Sequence, residues 1–422
     1  MPDPDVRPNR LDKAEIDRNF ADLHPPLSPS EALIEAERCY FCYDAPCTTA
    51  CPTGIDIPAF IRQIQSGNLR GSARTILEEN IMGGMCARVC PTEVLCEEAC
   101  VRNLHEEKPV AIGLLQRHAT DPVIEAGQQL FARQESTGRR IAVVGAGPAG
   151  LSCAHRLAML GHDVTVFSRD PKGGGLNEYG IAAYKTVSDF AQRELAYILE
   201  IGGIEMKYGV ELGKNLSLAE LQQEYDAVFL GLGLSAVNDL SVDNAGLSGV
   251  LNAVDYIAQL RQAPDKSALQ VGRNVVVIGG GMTAIDIAVQ SKRLGAANVN
   301  IAYRRGPDDM GASEFERRLA QTDGISVHYW LDPKALRGDD HVSAVEFDCA
   351  GKSVVLAADV VFKAIGQRLE NLDLDTELGG VVLTNGRIRV DEKQATSVKG
   401  IWAGGDCTAG DEDLTVSAVQ HG

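Results

Sequence analysis

Eight of the eleven cysteines in this 422-residue chain lie between Cys39 and Cys100. They run Cys39-x2-Cys42-x4-Cys47-x3-Cys51-Pro, then Cys86-x3-Cys90-Pro and Cys96-x3-Cys100. Thiolates at such short spacing let one loop wrap around an inorganic centre, and a proline directly after a ligand stops the chain from continuing as helix. Structural zinc and plain buried thiols are the alternatives. Zinc sites favour two C-x2-C pairs, and this region holds one. Spacing and number therefore point to iron–sulfur, and eight cysteines would suffice for two four-iron clusters.

The rest of the chain is too long for a single core and is expected to divide into several domains. Residues 1–137 read as helical, and PAFIRQIQSGNLRGSARTILEEN reads as two short amphipathic helices. From Arg139 the pattern alternates strand and helix, the signature of an α/β fold with parallel sheets. The expected layout is an all-α iron–sulfur domain over 1–137, followed by two Rossmann-like domains. A first part of the FAD domain covers 138–265, an inserted NAD(P) domain covers 266–364, and the FAD domain returns over 365–422. The last stretch is expected to be the first turns of a helix cut short at Gly422.

The formal net charge of −18 argues against a nucleic-acid groove, which needs a basic face. Nucleotide cofactors remain compatible with it, because glycine loops and helix ends hold phosphates locally. The first thirty residues carry no apolar signal segment, and no apolar run is long enough to span a membrane. A cytoplasmic protein is expected, where disulfides are rare.

Two glycine fingerprints carry the nucleotide chemistry. In RRIAVVGAGPAGLSCAHRLAMLGHDVTVFSR a strand opens into Gly145-Ala146-Gly147-Pro148-Ala149-Gly150 and a helix. Such glycines permit a tight turn and close approach to a pyrophosphate, while the helix N-terminus offers free N–H groups. The acidic ribose-binding residue usual at the end of the second strand is replaced by Ser168, followed by Arg169 and Asp170. The second fingerprint, NVVVIGGGMTAIDIAVQSKRLGAANVNIAYRRG, puts Gly279, Gly281, Met282, Thr283 and Ala284 at the turn. Its second strand ends in Arg304 and Arg305, which suit a 2′-phosphate or serve equally as a solvated basic turn.

The cysteine region resembles the N-terminal domain of dihydropyrimidine dehydrogenases and of glutamate synthase small subunits. The whole chain looks most like the electron-input subunit of bacterial NAD-dependent dihydropyrimidine dehydrogenase. That resemblance assigns Cys39, Cys42, Cys47 and Cys100 to one cluster. Cys51, Cys90, Cys96 and Gln116 would serve the other, leaving Cys86 as a spare buried thiol. On its own Gln116 would be an ordinary polar helix residue. An amide in place of a thiolate should raise the cluster potential. The resemblance further places the Gly173–Leu176 turn, with Gly175 and Leu176, beside FAD. Gly405 and Asp406 would meet the ribityl chain, and Thr415 would open a helix pointing at the flavin ring. Ala364 and Gly366 would close over the cofactors. Lys185 matches a basic residue near FAD, although it also reads as a surface lysine. Gly311 stands where NADPH-using relatives carry a further basic residue, so NAD is the expected nucleotide.

The implied function is transfer of hydride from NAD(P)H to FAD, then of single electrons through two clusters to a partner subunit. That partner would hold FMN and reduce uracil or thymine to the 5,6-dihydropyrimidine. Cys153, Cys349 and Cys407 stand alone and form no redox pair, and His118, His155, His162 and His421 show no metal spacing. One rival is the small subunit of glutamate synthase, or a related NADPH-dependent flavoprotein, with identical nucleotide chemistry and a different partner. Another, of a different class, is a zinc-stabilised interaction module on a vestigial nucleotide-binding fold.

Overall fold

A computed structural model describes residues 5–106, 108–369, 379–410 and 412–422. Residues 1–4 of the expected iron–sulfur segment and 370–378 of the returning FAD segment lie outside these. The chain forms two compact units. The larger comprises 24–178, 188–235 and 368–422; the other comprises 1–23, 179–187 and 236–367.

In the larger unit a five-stranded parallel sheet carries Arg140–Val144 at its centre. Asp163–Ser168 pairs on one side and Ala227–Leu230 on the other. Ile141 to Val144 are all buried, as a strand covered on both faces requires. Ile401–Ala403 then pairs with Ala227–Leu230, in the register Ile401↔Val228 to Ala403↔Leu230. Residues 236–367 are thus spliced between two neighbouring strands of one sheet.

The helices of the cysteine region belong to the same larger unit. Ile57–Gln65 and Leu69–Glu79 are the two amphipathic helices that the sequence predicts, capped by Asp56 and Asn68 and separated by Gly67 at φ +73°. Ala73, Leu77, Met82 and Met85 share a hydrophobic core with Leu151, Phe190, Leu195 and Ile198 from around the sheet. Gly83 and Gly84 make this possible. A Cβ at Gly84 would lie 2.6 Å from the Phe190 ring and 2.8 Å from Glu194 Oε1. The Arg88 guanidinium stacks 3.4 Å from the Phe190 ring centre and donates twice to Asp121, at 2.9 and 2.8 Å. Arg117 Nε donates to the same carboxylate at 3.0 Å.

The second unit holds its own five-stranded parallel sheet, centred on Asn274–Ile278, and a three-stranded antiparallel sheet, Asp332–Gly338, Val342–Cys349 and Lys352–Ala357. Its boundaries differ from those expected. Strand Val250–Asn252 pairs with Val360–Lys363, so the second sheet begins before residue 266. The Lys13–Asn19 helix also belongs here, because Ile16 and Phe20 bury their side chains among Ile257, Leu260 and Ile287. An amphipathic helix takes whichever apolar face covers it, and sequence order does not choose that face.

Asp121 neutralises two nearly buried arginines, whose side chains are only 3% and 6% exposed. Replacing it with alanine is expected to cost about 3 kcal/mol, because it leaves uncompensated buried charge. The check is the denaturant midpoint of unfolding; an unchanged midpoint would mean that the arginines are solvated.

Candidate functional site

The first glycine turn is held by backbone contacts. Gly145 has φ +109°, and a Cβ on it would stand 2.0 Å from the Gly231 carbonyl oxygen. A Cβ on Gly150 would stand 2.0 Å from the Gly145 carbonyl oxygen. Gly147, by contrast, meets only the Gly175 Cα, at 3.9 Å, so the turn keeps an open face. Gly174 N–H donates to Ala146 O at 2.7 Å, and Gly175 sits at φ +54° against Gly147. The Gly173–Leu176 turn therefore lies directly on the Gly145–Gly147 turn. The Pro148–Met159 helix begins at Gly147 with no side-chain cap, leaving first-turn N–H groups for an anion. Ala149 is buried, with its Cβ 3.0 Å from the position a Gly405 Cβ would take.

Gly405 has φ +77°, and its N–H donates to His421 Nδ1 at 3.1 Å. Asp406 beside it is half-buried. Burial pushes its pKa up to about 6, helped by Asp413 and opposed by Arg387. Its carboxylate accepts from its own N–H and from no other residue among those described, so it retains capacity for hydroxyl donors. Thr415 Oγ1 donates to Asn177 Oδ1 at 2.9 Å, next to Leu176, and opens the Thr415–His421 helix. Ser168 is buried at the end of its strand and offers only a hydroxyl. Burial raises the Asp170 pKa, Arg169 lowers it and Glu211 raises it again.

The cysteines fall into two neighbourhoods within the same unit. Cys39, Cys42, Cys47 and Cys100 line one cavity together with Ile57, Ile61, Val110 and Ile112. Burial raises the Cys39 pKa and pushes that of Cys47 up to about 11, with mutual repulsion among these thiols adding to it. Cys90 is raised by its hydrogen bond with Cys86, by burial, and by Cys96 and Cys51. Cys96 is raised by burial, Glu97, Cys51 and Cys47. The loop around the first set holds Phe41 at φ +52° and Ala45 at φ +36°, left-handed conformations that cost energy in non-glycine residues. Among the described residues no three His, Cys, Asp or Glu side chains converge as a ligand set for one ion. Four thiols lining one cavity are the donor set that a four-iron cluster takes.

Gln116 is buried on the Ile112–Glu125 helix. Its Nε2 donates to Gly83 O at 2.7 Å, and its Oε1 takes no hydrogen bond among the described residues. An amide anchored through nitrogen with oxygen unengaged fits a ligand role. Cys86 is buried and accepts from Asn80 Nδ2 at 3.2 Å.

In the second unit, a cavity of about 580 Å³ is lined by Gly279, Gly281, Thr283, Arg304, Arg305, Gly311, Ala364 and Gly366. That volume lies within the usual range for small-molecule sites. A Cβ on Gly279 would stand 2.1 Å from Ala364 O, whereas one on Gly281 would meet nothing within 4 Å. The Met282–Arg293 helix starts at Gly281 without a side-chain cap. Arg304 and Arg305 are exposed and make no ion pair among the described residues. Met282 and Ala284 do not line the cavity; Ala284 is fully buried, where a small residue lets the helix pack on the sheet.

Lys185 belongs to this second unit. Its Nζ lies 2.8 Å from Asp286 and 2.6 Å from Glu316. Burial alone would lower its pKa, but the two carboxylates outweigh burial and raise it. Its charge is thus taken up within this unit. Burial also pushes Cys153 up to about 12 and Cys407 up to about 11, so neither is a ready nucleophile.

Sequence reasoning missed Glu194. It is 1% exposed, accepts from Met85 N–H at 3.0 Å, and leaves Oε2 buried without a partner among the described residues. Burial pushes its pKa up to about 8 against the Met85 and Gly84 N–H groups and the Arg88 charge. No local motif marks it, since its partners lie more than 100 residues away in sequence.

Residues 16–128 match the family model for dihydropyrimidine dehydrogenase domain II, 4Fe-4S cluster, and residues 139–422 match that for pyridine nucleotide-disulphide oxidoreductases. The NAD-dependent dihydropyrimidine dehydrogenase subunit PreT of Salmonella typhimurium is 36% identical over 406 residues, spanning 96% of this chain and 95% of that one. The NADPH glutamate synthase small chain of Escherichia coli is 32% identical, over 100% of this chain and 94% of that one. Thioredoxin reductase of T. acidophilum shares the fold, with a TM-score of 0.53 at 21% identity over 67% of this chain and 95% of that one. Among the described residues no helix is long and apolar enough to cross a membrane.

Three outcomes are expected. Gly145→Ala should destabilise the chain by about 2 kcal/mol through overpacking and a forced left-handed φ. Gly147→Ala should fold normally yet hold less flavin; unfolding midpoints and flavin absorbance separate the two effects. Glu194 has a folded pKa of about 8, above its ordinary value of 4.5. Its stabilising contribution is full below the ordinary value and is lost as pH rises toward the folded one. Glu194→Gln should therefore gain on the wild type in unfolding midpoint between about pH 5 and about pH 8. Parallel pH profiles for the two proteins would refute this.

Proposed function

The chain belongs to the pyridine nucleotide-disulphide oxidoreductases, in the iron–sulfur branch that includes the PreT subunits, and we propose that it is the electron-input subunit of an NAD-dependent dihydropyrimidine dehydrogenase. It is an NAD(P)H-dependent iron–sulfur flavoprotein. The finer reading is that it takes hydride from NADH and delivers single electrons to an FMN-holding partner that reduces uracil or thymine. The observation that carries it is the presence, in one unit, of both a thiol-lined cavity and an open glycine turn.

When bound, FAD accepts two electrons together and four-iron clusters pass them one at a time, so the pair supplies the conversion that pyrimidine reduction by NADH requires. The chain's own residues divide the holding work. Gly145, Ala146, Gly147, Pro148, Ala149 and Gly150 receive the pyrophosphate of FAD, with Gly175 and Leu176 beside them. Asp406 accepts from the ribityl hydroxyls, Gly405 lets the backbone approach, and Thr415 fixes the start of the final helix. Cys39, Cys42, Cys47 and Cys100 hold one 4Fe-4S cluster; Cys51, Cys90, Cys96 and Gln116 hold the other. Gly279, Gly281 and Thr283 seat the dinucleotide phosphates, while Arg304 and Arg305 present positive charge at the adenosine end. Ala364 and Gly366 line the same cavity. Lys185 keeps its pairing with Asp286 and Glu316 and serves to position the inserted helices.

Anaerobic purification should give about eight irons and one FAD per chain. NADH should reduce the flavin and produce cluster EPR signals faster than NADPH does. Gln116→Ala should lose about four irons. Zinc without iron, or no bleaching by either nucleotide, would sink the reading. Co-purification with a glutamate-forming partner would transfer the chain to the glutamate synthase branch.

A further inference from the structure

Asn80 is a fully buried amide that no motif singles out, and all of its hydrogen-bonding groups have defined partners. It follows the last residue of the Leu69–Glu79 helix in extended backbone, at φ −142° and ψ 94°. Its Oδ1 accepts from Met82 N–H at 3.0 Å. That contact orients the amide, so Nδ2 must face the other way. There Nδ2 reaches Cys86 Sγ at 3.2 Å and Thr53 Oγ1 at 3.5 Å. An amide nitrogen has two hydrogens, one for each. Thr53 Oγ1 lies 3.4 Å from Cys51 Sγ. Asn80, Thr53 and Cys86 are 0%, 5% and 2% exposed, so water does not compete for these bonds.

One hydrogen-bond chain thus leaves the amide through Thr53 and ends on the sulfur of Cys51, while the other amide hydrogen holds the Cys86 thiol. Cys51 belongs to the cluster assigned above to Cys51, Cys90, Cys96 and Gln116, and the inference rests on that assignment. A ligating thiolate can only accept, so the donor is settled: the Thr53 hydroxyl points its hydrogen at Cys51. We propose that Asn80 and Thr53 form a tuning relay that donates to the Cys51 sulfur of this cluster and raises its reduction potential. Hydrogen bonds to ligand sulfur favour the more negative, reduced cluster, and the effect is strong where solvent is excluded. The relay acts in the same direction as a neutral amide ligand, making this cluster the better electron acceptor of the two.

The test uses the full chain, purified anaerobically, with iron content and EPR-monitored redox titration as readouts. Thr53→Val keeps the side-chain volume and removes the hydroxyl; Thr53→Ser keeps a donor. Thr53→Val should retain all its iron. One cluster should become harder to reduce, with its reduced-to-oxidised ratio at the wild-type midpoint falling about tenfold, or about 59 mV for a one-electron couple. The other cluster should stay where it was, and Thr53→Ser should remain near the wild type. Intact clusters with unmoved potentials would overturn the relay and leave the cluster assignment standing. Loss of a cluster in Thr53→Val also counts against it, since a tuning hydroxyl is not needed for assembly. A wild-type chain without iron would remove the assignment and the relay together. If Thr53→Val fails to fold, Thr53→Ala read against Thr53→Ser decides.

Discussion

The structure depends on the contact that Gly84 permits between the short Gly83–Val89 helix and the Phe190–Leu199 helix. Any side chain at Gly84 would strike Phe190, Glu194 and Ile124 together. With no side chain there, the helix that carries Cys86 and leads into Cys90 lies against a helix that packs beside the parallel sheet. The helix that carries Cys86 then shares one hydrophobic core with Ile204 and Met206 of the sheet. A close-packed core is nearly incompressible and transmits strain, so the position of that helix is coupled to the position of the sheet.

That contact also buries charge. Arg88 packs on Phe190 and is neutralised by Asp121, which serves Arg117 as well. Glu194 reaches across to the Met85 N–H and is left largely protonated near neutral pH. Buried ionic groups are expensive unless they are paired and hydrogen-bonded. Their geometry admits few alternative packings, which suits a region that has to hold a ligand set open in a defined shape.

The two glycine turns follow the same physics independently. In each, a Cβ added to the first glycine would overlap a neighbouring carbonyl oxygen, at 2.0 Å for Gly145 and 2.1 Å for Gly279, whereas one on Gly147 or Gly281 would meet nothing closer than 3.9 Å. Strand, turn and uncapped helix then present N–H groups to an anion. Both turns were legible from sequence because their requirements are local: small residues at fixed offsets between an apolar strand and a helix. The paired amphipathic helices of the cysteine region were legible for the same reason, since their periodicity and caps lie within a few residues.

Other features were not legible, again for physical reasons. The Lys13–Asn19 helix looked like part of the cysteine region but buries Ile16 and Phe20 among residues some 240 positions on or more. Lys185 read as a basic residue near FAD by resemblance, or otherwise as a surface lysine, yet it is buried and its nearest charges are Asp286 and Glu316. Asn80, Thr53 and Glu194 carry no signature because an isolated polar residue gains meaning only from what is buried around it. The sequence by itself determined which elements form, where phosphates can be received, and that a block of thiols awaits an inorganic centre, because spacing and backbone freedom are properties of neighbouring residues. Only the tertiary structure decided which thiols stand together, which amide faces them and which carboxyl stays protonated, because those depend on burial and on contacts between segments far apart in the chain.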